Sequence, residues 1–292
     1  MAKRRGNFNF FQTFEYFSPK WRGILGLIFW FLVGTLLGMG VTLIVTSMMG
    51  QEAAMDYGML LSYPVMFIPP MIFAAVRSRR KEMEIESVPS PLDNGHFAPL
   101  GGWLCALLVM VVTLAAGIVS DGITSVLPKM PEWLEEALKG LTSGTLWINF
   151  VCVSLFAPFF EEWLCRGMVL RGLLDRGVKP VWAILFSAVF FGLIHMNIWQ
   201  MVPAILLGLI FGYVYYKTRS LKLTMLMHFA NNTFALILSH IDSLKDAEGW
   251  MQVLGSWYWP AFAACLLLVA LFFVTFRRIA AGSSSDAADA AA

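Results

Sequence analysis

Charge is what this sequence has least of. Of its 292 residues only 14% are Asp, Glu, Lys or Arg, while 58% are hydrophobic. Soluble domains carry about a quarter charged residues, so the balance points to an integral membrane protein. The net charge is only +2, which argues neither for nor against an anionic partner; no nucleic-acid partner is expected. Cysteine is as sparse: Cys105, Cys152, Cys165 and Cys265 lie scattered in apolar runs with no CxxC pair. That excludes a zinc knuckle or redox motif and predicts buried free thiols. There is no HExxH helix of the metalloprotease kind. Nor is there an internal repeat of the kind that marks a transporter's two halves.

What is present is a succession of apolar segments. A bilayer-spanning helix needs about 20 such residues, and eight candidates stand out: 23–47, 57–76, 101–120, 146–170, 181–195, 198–216, 223–238 and 257–276. The first is too long for a signal-peptide core and lacks a small-residue cleavage site, so it is expected to be a retained span. The second holds Pro64, Pro69 and Pro70 and is expected to be kinked or broken. The fifth and seventh are short enough to be buried helices instead.

Connecting loops alternate in charge. Lys3-Arg4-Arg5, the stretch Arg77 to Lys81, Arg171 to Lys179, Lys217 to Lys222 and Arg277-Arg278 fall on one side. The Gln51–Asp56 turn, the 121–145 segment with Glu132, Glu135 and Glu136, and the 242–248 loop fall on the other. The positive-inside rule then places both termini in the cytoplasm. The 131–138 stretch reads as a short amphipathic helix at the outer surface, 81–99 as a charged cytoplasmic loop, and the small polar tail 282–292 as disordered. Gly208 and Gly212 form a small-xxx-small pair that predicts close helix packing. The expected architecture is an all-α polytopic membrane protein of about eight transmembrane helices, with its functional site inside the bundle. It divides into a cytoplasmic segment (1–22), helices one to three with an outer loop (23–145), a core segment (146–240), a last loop and helix (241–279) and a tail (280–292).

Away from helix ends, the apolar segments hold five ionisable residues: Glu161, Glu162, Arg166, His195 and His228. Each is expensive in hydrocarbon and must be paired, hydrated or used. Glu162 and Arg166 are four residues apart, the favourable order for an ion pair on one helical face. Glu161 is turned about a hundred degrees away and has no local partner. Glu162 and Arg166 therefore read as scaffold, and Glu161 as the group free for chemistry. Phe191 and His195, and likewise His228 and Asn232, share the four-residue spacing that puts both side chains on one face. Simple counting from Lys222 leaves His228 a turn or more nearer the cytoplasm than Glu161. Cys165 lies one turn after Glu161 but has no adjacent base, and is read as packing.

These motifs, Glu161-Glu162-xxx-Arg166, Phe191-xxx-His195 and His228-xxx-Asn232, resemble in order those of the CPBP (CAAX protease and bacteriocin-processing, or Abi) intramembrane proteases, the Rce1-like family. The resemblance runs from about residue 147 to 238. It implies an intramembrane endopeptidase acting on a membrane-associated peptide or protein, by CAAX-type prenyl-protein or bacteriocin-leader processing. Glu161 would be the general base and His195 would help hold the attacking water. His228 and Asn232 would donate to the oxyanion, each such donor contributing about 3–4 kcal/mol, while Glu162 and Arg166 would orient the site. No metal is expected; were the reaction metal-dependent, Glu161, His195 and His228 would hold a zinc ion and leave a position for water. The implied location is a bacterial plasma membrane. The alternative is a non-catalytic scaffold or bacteriocin self-immunity protein, and a proton-coupled transporter is a third reading.

Overall fold

The computed structural model describes residues 10–85, 87–142, 144–244, 247 and 249–281. Lys3-Arg4-Arg5, the 282–292 tail and part of the acidic 242–248 loop lie outside the described residues. After a short turn of helix at Phe10–Phe14 come α1 (Trp21–Ala53), α2 (Met59–Glu82), α3 (Gly102–Thr124) and α4 (Glu132–Thr142). A long central helix, α5 (Leu146–Asp175), follows. It is succeeded by α6 (Pro180–Leu193), α7 (Ile198–Thr218), α8 (Leu221–Ser239), the short α9 (Trp250–Leu254) and α10 (Tyr258–Phe276). No strand occurs among the described residues.

All eight expected spans are helical. Among the described residues, five helical stretches are long and apolar enough to cross a membrane, the first of them holding both α1 and α2. The expected short pair differs as its composition dictates. At 14 residues, α6 is about 21 Å long against a hydrocarbon core of about 30 Å. α8 has 19 residues, but Lys222, His228, Asn231 and Asn232 dilute its apolar character. The amphipathic helix foreseen in the outer loop is α4, with Trp133 exposed and Leu134 buried.

The prolines of α2 do not break it: the helix runs unbroken through Pro64, Pro69 and Pro70. Each proline deprives the carbonyl four residues earlier of its donor. Pro70 frees the carbonyl of Met66, which lies against Gly34 of α1, so close that any side chain there would collide with it. The α1–α2 contact thus absorbs the exposed carbonyl, as neighbouring helices do in membranes. The interruption falls earlier, at Gly50 (φ 86°) near the end of α1, a backbone conformation that glycine adopts at little cost.

α5 is the axis of the bundle. Every residue from Glu161 to Leu173 is buried. Trp163, Leu164, Met168 and Leu170 pack with Ile24, Leu27 and Phe31 of α1 and Phe67 of α2 in one core. α3, α7, α8 and α10 form a second around Val109, Phe211, Met227 and Phe276. Leu36, Leu43, Leu107 and Leu267 face outward, as side chains in contact with lipid do. Cys105, Cys152 and Cys165 are buried free thiols as foreseen, but Cys265 on the peripheral α10 is only half-buried.

The basic loops gather at one end. There Arg219 pairs with Asp175 at 3.2 Å and Lys222 with Asp93 at 2.9 Å, while Ser18 and Ser90 both donate to Asp175. At the other end Asp56 accepts from the backbone and hydroxyl of Thr145, and Trp199 donates to the Pro128 carbonyl. The 81–99 loop is not a loose one. Leu92 is fully buried, and its carbonyl takes the Tyr215 hydroxyl at 2.9 Å. The fully buried Arg171 fastens this end. It donates to the carbonyls of Gly167 (2.7 Å) and Phe17 (2.6 Å) and to that of Ser90, joining α5, the N-terminal segment and the loop. With the longer bond to the Phe14 carbonyl at 3.4 Å included, Arg171→Ala leaves four carbonyls without that donor, and the expected loss is about 3 kcal/mol or more. The fall should appear as a lower unfolding midpoint in detergent. Arg171→Lys, which lacks the planar fork, should recover only part of it.

Candidate functional site

The site is built on irregular helix. Within α5 the segments Phe150–Phe156 and Trp163–Leu170 are π-helical, flanking an α-helical turn, Ala157–Glu162, that carries both glutamates. Such stretches are rare and occur often where helices carry function. In the first, the N–H of Ala157 bonds the carbonyl of Cys152. In that register Val153 would accept from residue 158, which is proline and has no N–H. Asn232 of α8 supplies the missing donor, its Nδ2 lying 2.9 Å from the Val153 carbonyl. Its Oδ1 accepts from Asn231 at 3.1 Å, which orients the amide and leaves one Nδ2 hydrogen uncommitted.

Glu162 and Arg166 pair as their spacing predicts, at 2.7 Å with both side chains 0% exposed. The guanidinium also donates to the Gly208 carbonyl at 3.1 Å and lies over the rings of Phe191 (4.5 Å) and Phe211 (5.4 Å). Gly208 permits this approach. A Cβ there would sit 3.2 Å from both Arg166 Nη2 and the Ala188 backbone, while a Cβ at Gly212 would meet Ile184. The small-residue pair thus marks the close α6–α7 contact foreseen, and also gives Arg166 its third partner.

His228 reaches both carboxylates. Its Nδ1 is 3.2 Å from Glu162 Oε1 and its Nε2 is 3.9 Å from Glu161 Oε2. A carboxylate already paired with Arg166 only accepts, so Nδ1 carries the hydrogen that Glu162 receives. The depth mismatch found by counting has a physical resolution. From the paired Asp175 and Arg219, Glu162 is 13 residues back and His228 is 9 on, a difference of about 6 Å at 1.5 Å per residue. Eight of those 13 are π-helical, and a wider helix advances less per residue.

Glu161, expected to lack a local partner, has a distant one: Tyr63 of α2 donates its hydroxyl to Oε1. Its Oε2 has no hydrogen-bond partner, and neither does Glu162 Oε2. His195 departs further from expectation. It stands beyond the end of α6 rather than on it, in a turn made by Met196 (φ 58°) and by Asn197, whose side chain caps α7. Its Nδ1 engages the Phe191 carbonyl at 2.8 Å, and its ring meets Phe191 edge-on at 5.3 Å. Phe191 touches His228 as well, at 5.4 Å. Glu161, Glu162, Arg166 and His228 are therefore in direct contact, Asn232 is one turn along α8, and His195 joins through Phe191. Cys165 is buried in the core, with its carbonyl held by Ser187 at 2.9 Å. Sequence reasoning missed Tyr63 and Phe211. Neither carries a motif, and Tyr63 is marked only as a polar group beside Pro64 in an apolar span.

Among the described residues no three His, Cys, Asp or Glu side chains are grouped as a metal site needs. His195 turns to Phe191 and the Nδ1 of His228 to Glu162. The residues present therefore do not assemble the three-ligand set of Glu161, His195 and His228.

Residues 143–234 match the model of a family described as type II CAAX prenyl endopeptidase Rce1-like. That stretch, less than half of the chain, contains all seven motif residues, so the resemblance read from them is borne out there. A relative, the UPF0177 protein YxdF of Lactococcus lactis subsp. lactis (strain IL1403), is 24% identical over 134 residues. The alignment covers 45% of this chain and 66% of that relative, so the chain spans just under two thirds of its length. No solved structure matches the chain.

The buried pair yields a prediction independent of activity. Removing one partner strands a charge, and Arg166→Met should cost about 3–5 kcal/mol of stability. The double variant Glu162→Gln/Arg166→Met strands none and should unfold at a higher temperature in detergent than the single one.

Proposed function

We propose that this chain is an intramembrane endopeptidase that cleaves a peptide bond of a membrane-associated protein or peptide with water activated by Glu161. The observation that carries the reading is the convergence of Glu161, Glu162, Arg166 and His228 in the buried axis of the segment that matches the Rce1-like family. A carboxylate oxygen without a partner, 3.9 Å from an imidazole nitrogen, offers a place for one water held between an acceptor and His228. Glu161 Oε2 takes a proton from that water as its oxygen attacks the scissile carbonyl carbon. The tetrahedral oxyanion is met by Nε2–H of His228 and the uncommitted Nδ2 hydrogen of Asn232. Glu161 then returns the proton to the amide nitrogen as the C–N bond breaks, releasing a carboxylate and an amine.

The geometry adds one condition. With Nδ1–H committed to Glu162, Nε2 donates only when the ring carries both of its hydrogens. Glu162 and Arg166 then orient His228, and His195 acts from the turn between α6 and α7, holding the water's outer side in the substrate complex. Substrates fitting this reading are lipid-anchored peptides, prenylated CAAX termini and leader peptides among them. We propose that the active chain lies in a bacterial plasma membrane with its basic loops in the cytoplasm.

The test incubates the purified full chain, and Glu161→Gln beside it, with a library of membrane-anchored peptides, with and without a chelator. Products are read by mass spectrometry. Cleavage should fall at least about a hundredfold in the variant and be indifferent to chelator; loss with chelator would instead make the reaction metal-dependent. Undiminished cleavage by Glu161→Gln would remove Glu161 from the role of base. If neither protein cleaves while Glu161→Gln complements a deletion in cells, the scaffold reading takes its place.

A further inference from the structure

We propose that Tyr63 is a positioning residue for this reaction, its hydroxyl holding one oxygen of Glu161 so that the other faces His228 and the water. The inference rests on the reading of Glu161 as the base. It adds to the site a helix, α2, that lies outside the segment matched by the family.

Three observations converge. The two oxygens of Glu161 have different fates: Oε1 accepts from Tyr63, whereas Oε2 is buried, unpartnered and directed at His228 Nε2. A bond to one oxygen stops the carboxylate turning about its last torsion, so the free oxygen has one address rather than two. Next, Tyr63 is itself held. Its ring stacks on Phe67 at 5.7 Å and lies 6.3 Å from that of Phe160, and Phe67 stacks on Phe160 at 5.0 Å. The hydroxyl is thus presented from a packed aromatic wall built by α2 and α5. Finally, the donor is neutral. Glu162 next door is held by a guanidinium, which suits a scaffold but ties up the charge. A phenol orients a carboxylate while leaving its negative charge to take a proton, which is what a base requires.

The experiment compares wild type, Tyr63→Phe and Glu161→Gln in one detergent, on a peptide that the wild type cleaves. Tyr63→Phe keeps the aromatic wall and removes only the hydroxyl. Its unfolding midpoint and KM should stay close to wild type, with kcat about 10- to 100-fold lower, the range for one hydrogen bond to a charged group. Ultraviolet resonance Raman supplies a readout that a merely structural role would not move. The difference spectrum between wild type and Tyr63→Phe isolates that one phenol, and its tyrosine doublet should report a strong donor. In the Glu161→Gln background the same difference should lose that signature. This arm runs on any folded protein, whatever its substrate. Full kcat in Tyr63→Phe beside an inactive Glu161→Gln overturns the positioning role and leaves Glu161 as base. A phenol signature indifferent to Glu161→Gln overturns it as well, as does a kcat loss matched by a fallen unfolding midpoint. Full activity in Glu161→Gln removes both readings together.

Discussion

A guanidinium with no exposed surface in the middle of an apolar bundle sets the terms for everything around it. Arg166 cannot lose its charge, so the fold must give it a carboxylate, further acceptors and polarisable surface. It receives Glu162, the Gly208 carbonyl and the faces of Phe191 and Phe211. Each of these comes from a different feature of the chain: a four-residue spacing, a glycine in α7, an aromatic in α6, another in α7. The one cation therefore fixes how α5, α6 and α7 meet. Because His228 hydrogen-bonds the same glutamate oxygen, it fixes α8 as well. A pair of this kind adds little net stability over apolar packing. What it contributes is a single arrangement of four helices.

A second constraint runs through the backbone. In hydrocarbon a carbonyl without a donor is costly, and α5 creates several by changing its winding twice. Side chains reach carbonyls along it: Asn232 of α8 at Val153, Ser187 of α6 at Cys165, and Arg171 of α5 itself at Gly167. The irregular winding thus makes the central helix a template that only correctly placed partners complete. Pro158 belongs to the same logic, since its missing N–H is what gives Asn232 something to hold. α2 applies it on a smaller scale, where the carbonyl freed by Pro70 rests on Gly34.

The parts of this structure legible in the sequence are those governed by local periodicity. Eight apolar runs gave eight helices, the charge alternation of the loops sorted them to two ends, and the Glu162–Arg166 spacing gave the pair. What was illegible depends on departures from that periodicity. Counting at a constant rise put His228 too far from Glu161, because nothing in Trp163–Leu170 announces a π-helix. His195 was placed on a helix because Phe191-xxx-His195 has helical spacing. The cap at Asn197 and the positive φ of Met196 end the helix sooner. Three prolines suggested a kink or a break, and α2 is continuous through them, with the carbonyl that Pro70 frees lying against Gly34 of α1. Tyr63 is nearly a hundred positions from Glu161, and no local pattern joins residues across such a separation.

Two adjacent glutamates on one helix would seem redundant, and their surroundings explain why they are not. Neighbouring residues on a helix point about a hundred degrees apart, so Glu161 and Glu162 look onto different helices. Glu162 faces the guanidinium of its own helix and the Nδ1 of His228, and Glu161 faces the phenol of α2 and the Nε2 of the same ring. One imidazole therefore touches both carboxylates through opposite nitrogens, and its orientation is set by the one that Arg166 has already immobilised. Rigidity passes from Arg166 to Glu162, from Glu162 to His228, and ends at Glu161 Oε2, a buried oxygen without a hydrogen-bond partner that faces Nε2 of the ring. An unpartnered carboxylate oxygen at the end of a fixed chain, in a low-dielectric interior, is where a single water would be bound most strongly. It is also where a proton would be taken with least rearrangement.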